Sequence, residues 1–314
     1  MRLKLLAMAL SAPVVLNALA NTEPFAFTPE KVSTELSLGT LSGKTKERVY
    51  APEEGGRKVS QLDWKYNNAA IIKGAINWDM TPWTTFSASG WSSMSHRGGS
   101  MTDTDWDRVD INEWTDHSQH PNTRLNYANE FDLNIKGWLL NDPDYRLGLM
   151  AGYLENRYSF NATGGTYIYS ENGGFRNEMG SFSEGEKIIG YKQRFKIPYI
   201  GITGSYCYAG LELGGSFKYS GWARSSDNDE HYLTTTTFRD NVKNQNYYSV
   251  SANAGYYITP SAKLYIEGTW SRITNKKGSL SSYNYQNGKY QKHRDSSGIE
   301  NYNLITTAGL KYTF

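Results

Sequence analysis

The chain has 314 residues, 33 Lys+Arg against 31 Asp+Glu, a single cysteine and 14% aromatic side chains. One cysteine excludes an internal disulfide framework and a cysteine-based metal cluster, and the near balance of charge gives no overall case for nucleic acid as a partner. Past position 20 no segment reaches the roughly 18 apolar residues of a membrane helix, whereas 24 Tyr, 9 Trp and 30 Gly with few helix-like stretches indicate a large all-β protein. Strand alternation hides the apolar signal of a membrane barrel from a hydropathy window.

In chain order, residues 1–20 read as a cleaved signal peptide. Arg2 and Lys4 give a basic start, LLAMAL and APVVL an apolar middle, and Ala18-Leu19-Ala20 meets the small-x-small cleavage rule. The mature chain is then one β-barrel domain over 21–314, and loss of Arg2 and Lys4 brings its net charge close to zero. Candidate strands fall near 32–50, 61–80, 84–95, 125–141, 145–165, 185–200, 201–225, 238–258, 261–277 and 298–314. In the run LNYANEFDLNIKGWLL, Phe131, Leu133 and Ile135 share one face while Glu130, Asp132, Asn134 and Lys136 share the other, a period of two. Tyr248, Val250, Ala252, Ala254, Tyr256 and Ile258 repeat the pattern, as does the closing run from Tyr302 to Phe314. NDPD (141–144), TP (259–260) and MTPW (80–83) read as tight turns. The polar, Gly/Ser/Asn-rich stretches 96–124, 166–184 and 278–297 read as long loops. Ten antiparallel strands with short turns at one end and long connections at the other predict a transmembrane β-barrel. Its strands exceed the roughly 9–11 residues a bilayer needs, so the barrel projects beyond the membrane. A β-sandwich would also alternate, but leaves the Tyr/Trp load on the apolar faces unexplained. Cys207, in GSYCYAG, reads as a small packed side chain.

Two stretches concentrate charge. In MTDTDWD, Asp103 and Asp105 are two apart and face the same way in extended chain; in SSDNDEHY, Asp227, Asp229 and His231 do the same. Like charges that close are costly unless something uses them, although solvated or calcium-binding acidic loops would give the same spacing. Ser118, near His117 and His120, could be drawn as a Ser–His nucleophile or a metal site. With 5 His in all and Cys207 distant, a surface loop is the simpler reading and no metal is assigned. One parity conflict stands: Leu211, Leu213, Phe217 and Tyr219 make odd positions lipid-facing, which would turn Asp229 and His231 outward. A bulge between Tyr219 and Asp227, with Gly221 the candidate, removes the conflict. Leu147, Leu149, Ala151 and Tyr153 share a face with Glu155 and Arg157, and Ile200 and Ile202 with Arg194 and Lys196. Cations just above an oily band meet lipid headgroups.

The runs LSGKTKERVY (41–50), GRKVSQLDWK (56–65), NYANEFDLN (126–134), KGWLL (136–140), SDNDEHY (226–232) and IENYN (299–303) make the chain resemble the omptins, aspartyl-type endopeptidases of the Gram-negative outer membrane. The resemblance covers essentially the whole mature chain. It implies a ten-stranded barrel with an exterior-facing groove in which Asp103 and Asp105, and Asp229 and His231, are the catalytic pairs that activate a water. It also implies a pocket for a basic residue before the scissile bond, formed by Glu47 and Asp227, with Asp116 favouring a basic residue after it. Glu47 agrees in parity, since Leu36 and Leu38 face lipid. Cationic peptides and proteins with paired basic sites are the substrates so implied. The resemblance further implies that lipopolysaccharide is required for activity and is bound by Tyr153, Glu155, Arg157, Arg194 and Lys243, the last with the wrong parity relative to Tyr248. No metal, organic cofactor or nucleic acid is expected, and the chain is expected to act as a monomer.

Overall fold

The structure is a computed structural model and describes residues 32–314; the expected signal peptide lies outside the described residues. The segments are β1 (Val32–Ala51), β2 (Arg57–Thr81), β3 (Thr84–Ser93), β4 (His96–Asp105), β5 (Asp116–Asn141), β6 (Tyr145–Tyr169), β7 (Glu178–Tyr208), β8 (Leu211–His231), β9 (Thr236–Thr259), β10 (Ala262–Ile273), β11 (Lys277–Asn284) and β12 (Tyr290–Thr313). β3 and β4 both lie between β2 and β5, and β10 and β11 between β9 and β12, so each couple is one stave broken once. Twelve segments therefore make ten antiparallel staves, and β1 closes the ring by pairing with both β2 and β12. Closure leaves no unpaired sheet edge at the membrane level among the described residues, the condition for a sheet to stand in lipid.

Alternation sorts the side chains. Leu36, Leu38, Ile72, Ile76, Phe131, Ile135, Leu147, Leu149, Ile200, Ile202, Leu264 and Ile266 are exposed on the outside and form the apolar belt. At the same level the interior is polar and cross-braced by ion pairs: Lys73 to Glu267, Lys218 to Asp132, Lys263 to Glu212 and Arg146 to Asp79. They line a cavity of about 660 Å³. Above it Trp64, Tyr66, Tyr158, Phe160, Tyr191 and Phe195 are fully buried inside the ring. Trp64 stacks on Tyr191 at 5.1 Å, and Tyr66 meets Phe160 at 5.6 Å. This aromatic layer closes the lumen, which counts against an open pore, and forms a floor for whatever the staves carry above it.

Two expectations need correction. Residues 185–200 and 201–225 are not two strands meeting at position 200: β7 runs unbroken to Tyr208, and the reversal is at Ala209 and Gly210, both at positive φ, as two-residue hairpins demand. The stretches 96–124, 166–184 and 278–297 are mostly strand, with connections reduced to 106–115, 170–177 and 285–289. Above the membrane the outer face of the wall meets water instead of lipid, so the upper staves carry no lipid-facing stripe to mark them.

The parity conflict in β8 resolves as a bulge. Tyr219 pairs with Ile200 and Arg224 with Lys196 on β7, so five steps on β8 oppose four on β7. The part of β7 left out of this pairing contains Pro198, which has no N–H to donate. Below the bulge Glu212 and Ser220 are buried; above it Ala223, Ser225, Asp227 and Asp229 are. A second bulge follows on β9, where Ala223 pairs with Gln245 but Ser225 with Val242, and Asn244 takes φ 55°. It turns Lys243 to the outer surface, which corrects the parity expected from Tyr248.

Candidate active site

Four staves bring the charged residues to the upper lumen. β1 contributes Glu47, paired with Leu62 of β2 and Ile299 of β12. β4 contributes Asp103, between Leu62 and Ser118, and Asp105, between Ser60 and Asp116 of β5. β8 contributes Asp227, Asp229 and His231, which pair across to Gln193, Tyr191 and Ile189 of β7. β9 contributes Asp240, whose N–H donates to Asp227 Oδ1 at 2.9 Å. Asp240 carries no signal in the sequence: TTTTFRDNVK shows it as one acid in a polar run, and only the bulge on β9 turns it inward. The framework crosses the lumen, since Thr45 of β1 donates to Gln193 Oε1 of β7 at 2.6 Å.

His231 Nε2 donates to Asp229 Oδ2 at 2.7 Å, and Asp229 is 1% exposed. With Nε2 committed, Nδ1 is the nitrogen left to exchange a proton with the groove. Burial by itself favours neutral imidazole, but the charge and hydrogen bond of Asp229, with Asp103 and Asp105 beyond it, outweigh this and raise the His231 pKa to about 9. Asp103 is held well above the usual carboxylate range by burial, then by Asp105, with His231 opposing. Asp105 is raised to about 6 by burial, offset by the Ser60 hydroxyl and reinforced by Asp107 and Asp116. Asp227 rises to about 7 through burial, although the Asp240 N–H and the Tyr191 hydroxyl, which donates at 3.0 Å, favour its charged form. Glu47 is pushed well up by burial and by Asp229, Asp227 and Asp240. Asp103 Oδ1, Asp229 Oδ1, Glu47 Oε2 and both Asp240 oxygens are buried with no protein donor. Such a set lowers its energy when a cation or a hydrogen-bond donor enters.

Asp116 is farther out, beside Asp105, with Oδ1 accepting from the Ser170 N–H at 2.8 Å. The Ser118 region is not a loop. Ser118 and His120 are buried in β5, with Ser118 Oγ 2.8 Å from His120 Nε2. The other His120 nitrogen meets the Gly164 carbonyl, not a carboxylate, so no third group stabilises an imidazolium there. His117 Nδ1 bonds Thr104 Oγ1 at 2.8 Å. Neither histidine joins a ligand set. Among the described residues the group whose oxygens could hold a hard cation is Glu47, Asp227 and Asp240, mutually within 4.8 Å.

On the outside, just above the belt, Glu155 receives Arg157 at 2.6 Å and Arg194 at 2.7 Å, with the Tyr153 hydroxyl at 3.3 Å. Arg157 and Arg194 are paired directly across β6 and β7. Lys243 faces out two staves away. Arg224, which parity without the bulge would have turned inward, stands exposed opposite Lys196.

Fold and site together define a membrane-spanning barrel that gathers buried carboxylates and a histidine in its projecting upper lumen. The chain belongs to the omptin family, whose model matches residues 28–314. It is 65% identical over 315 residues to "Outer membrane protease OmpP" and 64% identical over 317 residues to "Protease 7", both of Escherichia coli (strain K12), each match covering 100% of both chains. The crystal structure of outer membrane protease OmpT from Escherichia coli superposes with a TM-score of 0.89 at 64% identity, covering 94% of this chain and 100% of that one. The protein is an outer-membrane protease of this family.

Proposed function

We propose that this protease is an endopeptidase that cleaves after Arg or Lys, with preference for paired basic residues, by direct attack of water. The observation that carries the reading is the buried Asp229–His231 hydrogen bond facing Asp103 in a groove of desolvated acids. A water between His231 and Asp103 gives its proton to Nδ1 as its oxygen bonds the carbonyl carbon; Asp229 stabilises the imidazolium. His231 then returns the proton to the departing amine as the C–N bond breaks, so no acyl-enzyme forms. Asp105 supports Asp103 and the negative potential at the site. Glu47 and Asp227 receive the basic side chain before the bond, because a buried cation needs an opposite charge, and Asp116 favours a basic residue after it.

Lipopolysaccharide binds the outer face through Tyr153, Glu155, Arg157, Arg194 and Lys243 and is needed for activity. Clustered outward guanidiniums at the edge of the apolar belt support this, since Arg pairs with phosphate in a two-pronged geometry.

Assay of a dibasic peptide tests the reading. Asp103→Asn and His231→Ala are each expected to reduce kcat by on the order of 10³ or more, with folded barrels verified by heat-dependent electrophoretic migration. Unchanged cleavage in both variants ends the assignment and favours the alternative, a non-catalytic barrel acting as an adhesin or pore.

A further inference from the structure

The pocket contains one more acid than the family resemblance assigned to it. Asp240 is 3% exposed and Glu47 is 2% exposed. Neither Asp240 oxygen receives a hydrogen bond, nor does Glu47 Oε2. The Ser297 hydroxyl lies near Asp240 but donates to the Ser279 carbonyl at 3.1 Å. Asp227 is different: both of its oxygens are already used, one by the Asp240 N–H and one by Tyr191. Tyr191 is itself fixed by stacking on Trp64 and by Gln193. The cluster is therefore a rigid acid with two buried carboxylates beside it whose acceptor capacity is unspent.

We propose that Asp240 is the third carboxylate of the pocket for the basic side chain before the scissile bond, and that the Glu47–Asp227–Asp240 triangle selects a lysine ammonium over an arginine guanidinium. This rests on reading Glu47 and Asp227 as that pocket. The geometry is specific. Three oxygens no more than 4.8 Å apart admit a single atom within about 2.8 Å of all three, which is the length of an N⁺–H···O⁻ hydrogen bond. An ammonium is a compact charge with three N–H donors in a tripod, so each carboxylate meets one proton. A guanidinium is a planar fork that matches two oxygens of one carboxylate in its own plane; three carboxylates converging on a point leave part of that fork unmatched.

The test uses the refolded barrel and two peptide substrates that differ only in Lys or Arg before the bond. Wild type is expected to favour the Lys peptide. Asp240→Asn, which keeps shape and removes charge, is expected to lower kcat/KM for the Lys peptide by on the order of tenfold or more, mostly through KM, and for the Arg peptide by under about threefold. Asp240→Ser should shift the preference toward Arg in the same way, and both variants should retain heat-dependent migration as folded barrels. Equal losses on both peptides, or none, overturn the inference and leave cleavage after basic residues standing. A wild type that cleaves after neither residue sinks the pocket reading as well. Inhibition by millimolar Ca²⁺ that Asp240→Asn abolishes, with the Lys-to-Arg ratio unchanged, also overturns it, by making the triangle a divalent-cation site.

Discussion

At the scale of the residue, His231 is the group to follow. With its pKa raised to about 9 by Asp229, Asp103 and Asp105 against the opposing effect of burial, the imidazole carries a proton at neutral pH in the free enzyme. In the proposed mechanism His231 must first lose that proton to act as general base, so activity is expected to rise with pH. Because kcat/KM reports the free enzyme, its acid limb is expected near pH 9. A cationic substrate offsets the surrounding carboxylates that hold the proton, so the limb in kcat should lie at lower pH. Steady-state rates across pH 5 to 10 check this, and coincident limbs near the ordinary histidine value of about 6.5 would count against it. Asp229→Asn removes the largest influence raising the pKa and the group that fixes the Nδ1-basic tautomer. It is expected to lower kcat by on the order of 10⁴ while moving the kcat/KM limb to lower pH. A loss of rate with the limb unmoved would make Asp229 structural only.

At the scale of the element, the site depends on one inserted residue. Without the bulge at 220–223, β8 would present Asp227, Asp229 and His231 to the outside. Gly221 lies in the bulge, but a Cβ there meets nothing closer than the Tyr219 hydroxyl at 3.3 Å, and its φ is not in the left-handed region. The inserted length matters, then, and the glycine does not. Gly221→Ala is expected to keep activity within about twofold, whereas deletion of Gly221 should abolish cleavage in a barrel that still migrates as folded. An active deletion variant would remove the bulge from the account. The same logic explains what could be read beforehand. The membrane-level staves were legible because lipid on one side and water on the other impose alternation, as Phe131, Leu133 and Ile135 show. Glu47, in a stave without a bulge before it, faces inward as parity required. The upper parts of β4, β5 and β11 read as loops in the sequence because polar side chains alternate there with other polar side chains. Asp240 and Arg224 were missed for a related reason. Each acquires its orientation from a bulge, and Asp240 meets Glu47 from a stave nearly two hundred residues away in sequence.

At the scale of the molecule, the outer and inner faces of the same staves are joined. β7 carries Arg194 outward and, as its neighbours, Gln193 and Tyr191 inward; β8 pairs Ser226 with Arg194 and Asp227 with Gln193. An anion that fixes the outer guanidiniums therefore fixes the two staves that hold Asp227, Asp229 and His231. Glu155 binds both Arg157 and Arg194, which orients them side by side while leaving further N–H groups for phosphate. In lipid-free detergent these staves lack that restraint, and a site that works only with its groups held to within about 0.5 Å loses rate steeply as they wander. Detergent-refolded protein is accordingly expected to be inactive until lipopolysaccharide is added. The double variant Arg157→Ala/Arg194→Ala should need on the order of tenfold more lipopolysaccharide for half-maximal activity yet reach a similar maximum. Lipopolysaccharide stripped of its lipid A phosphates should activate wild type poorly. Titrations of peptide cleavage against lipid concentration read all three, and full activity of wild type in detergent alone would separate the outer basic face from catalysis.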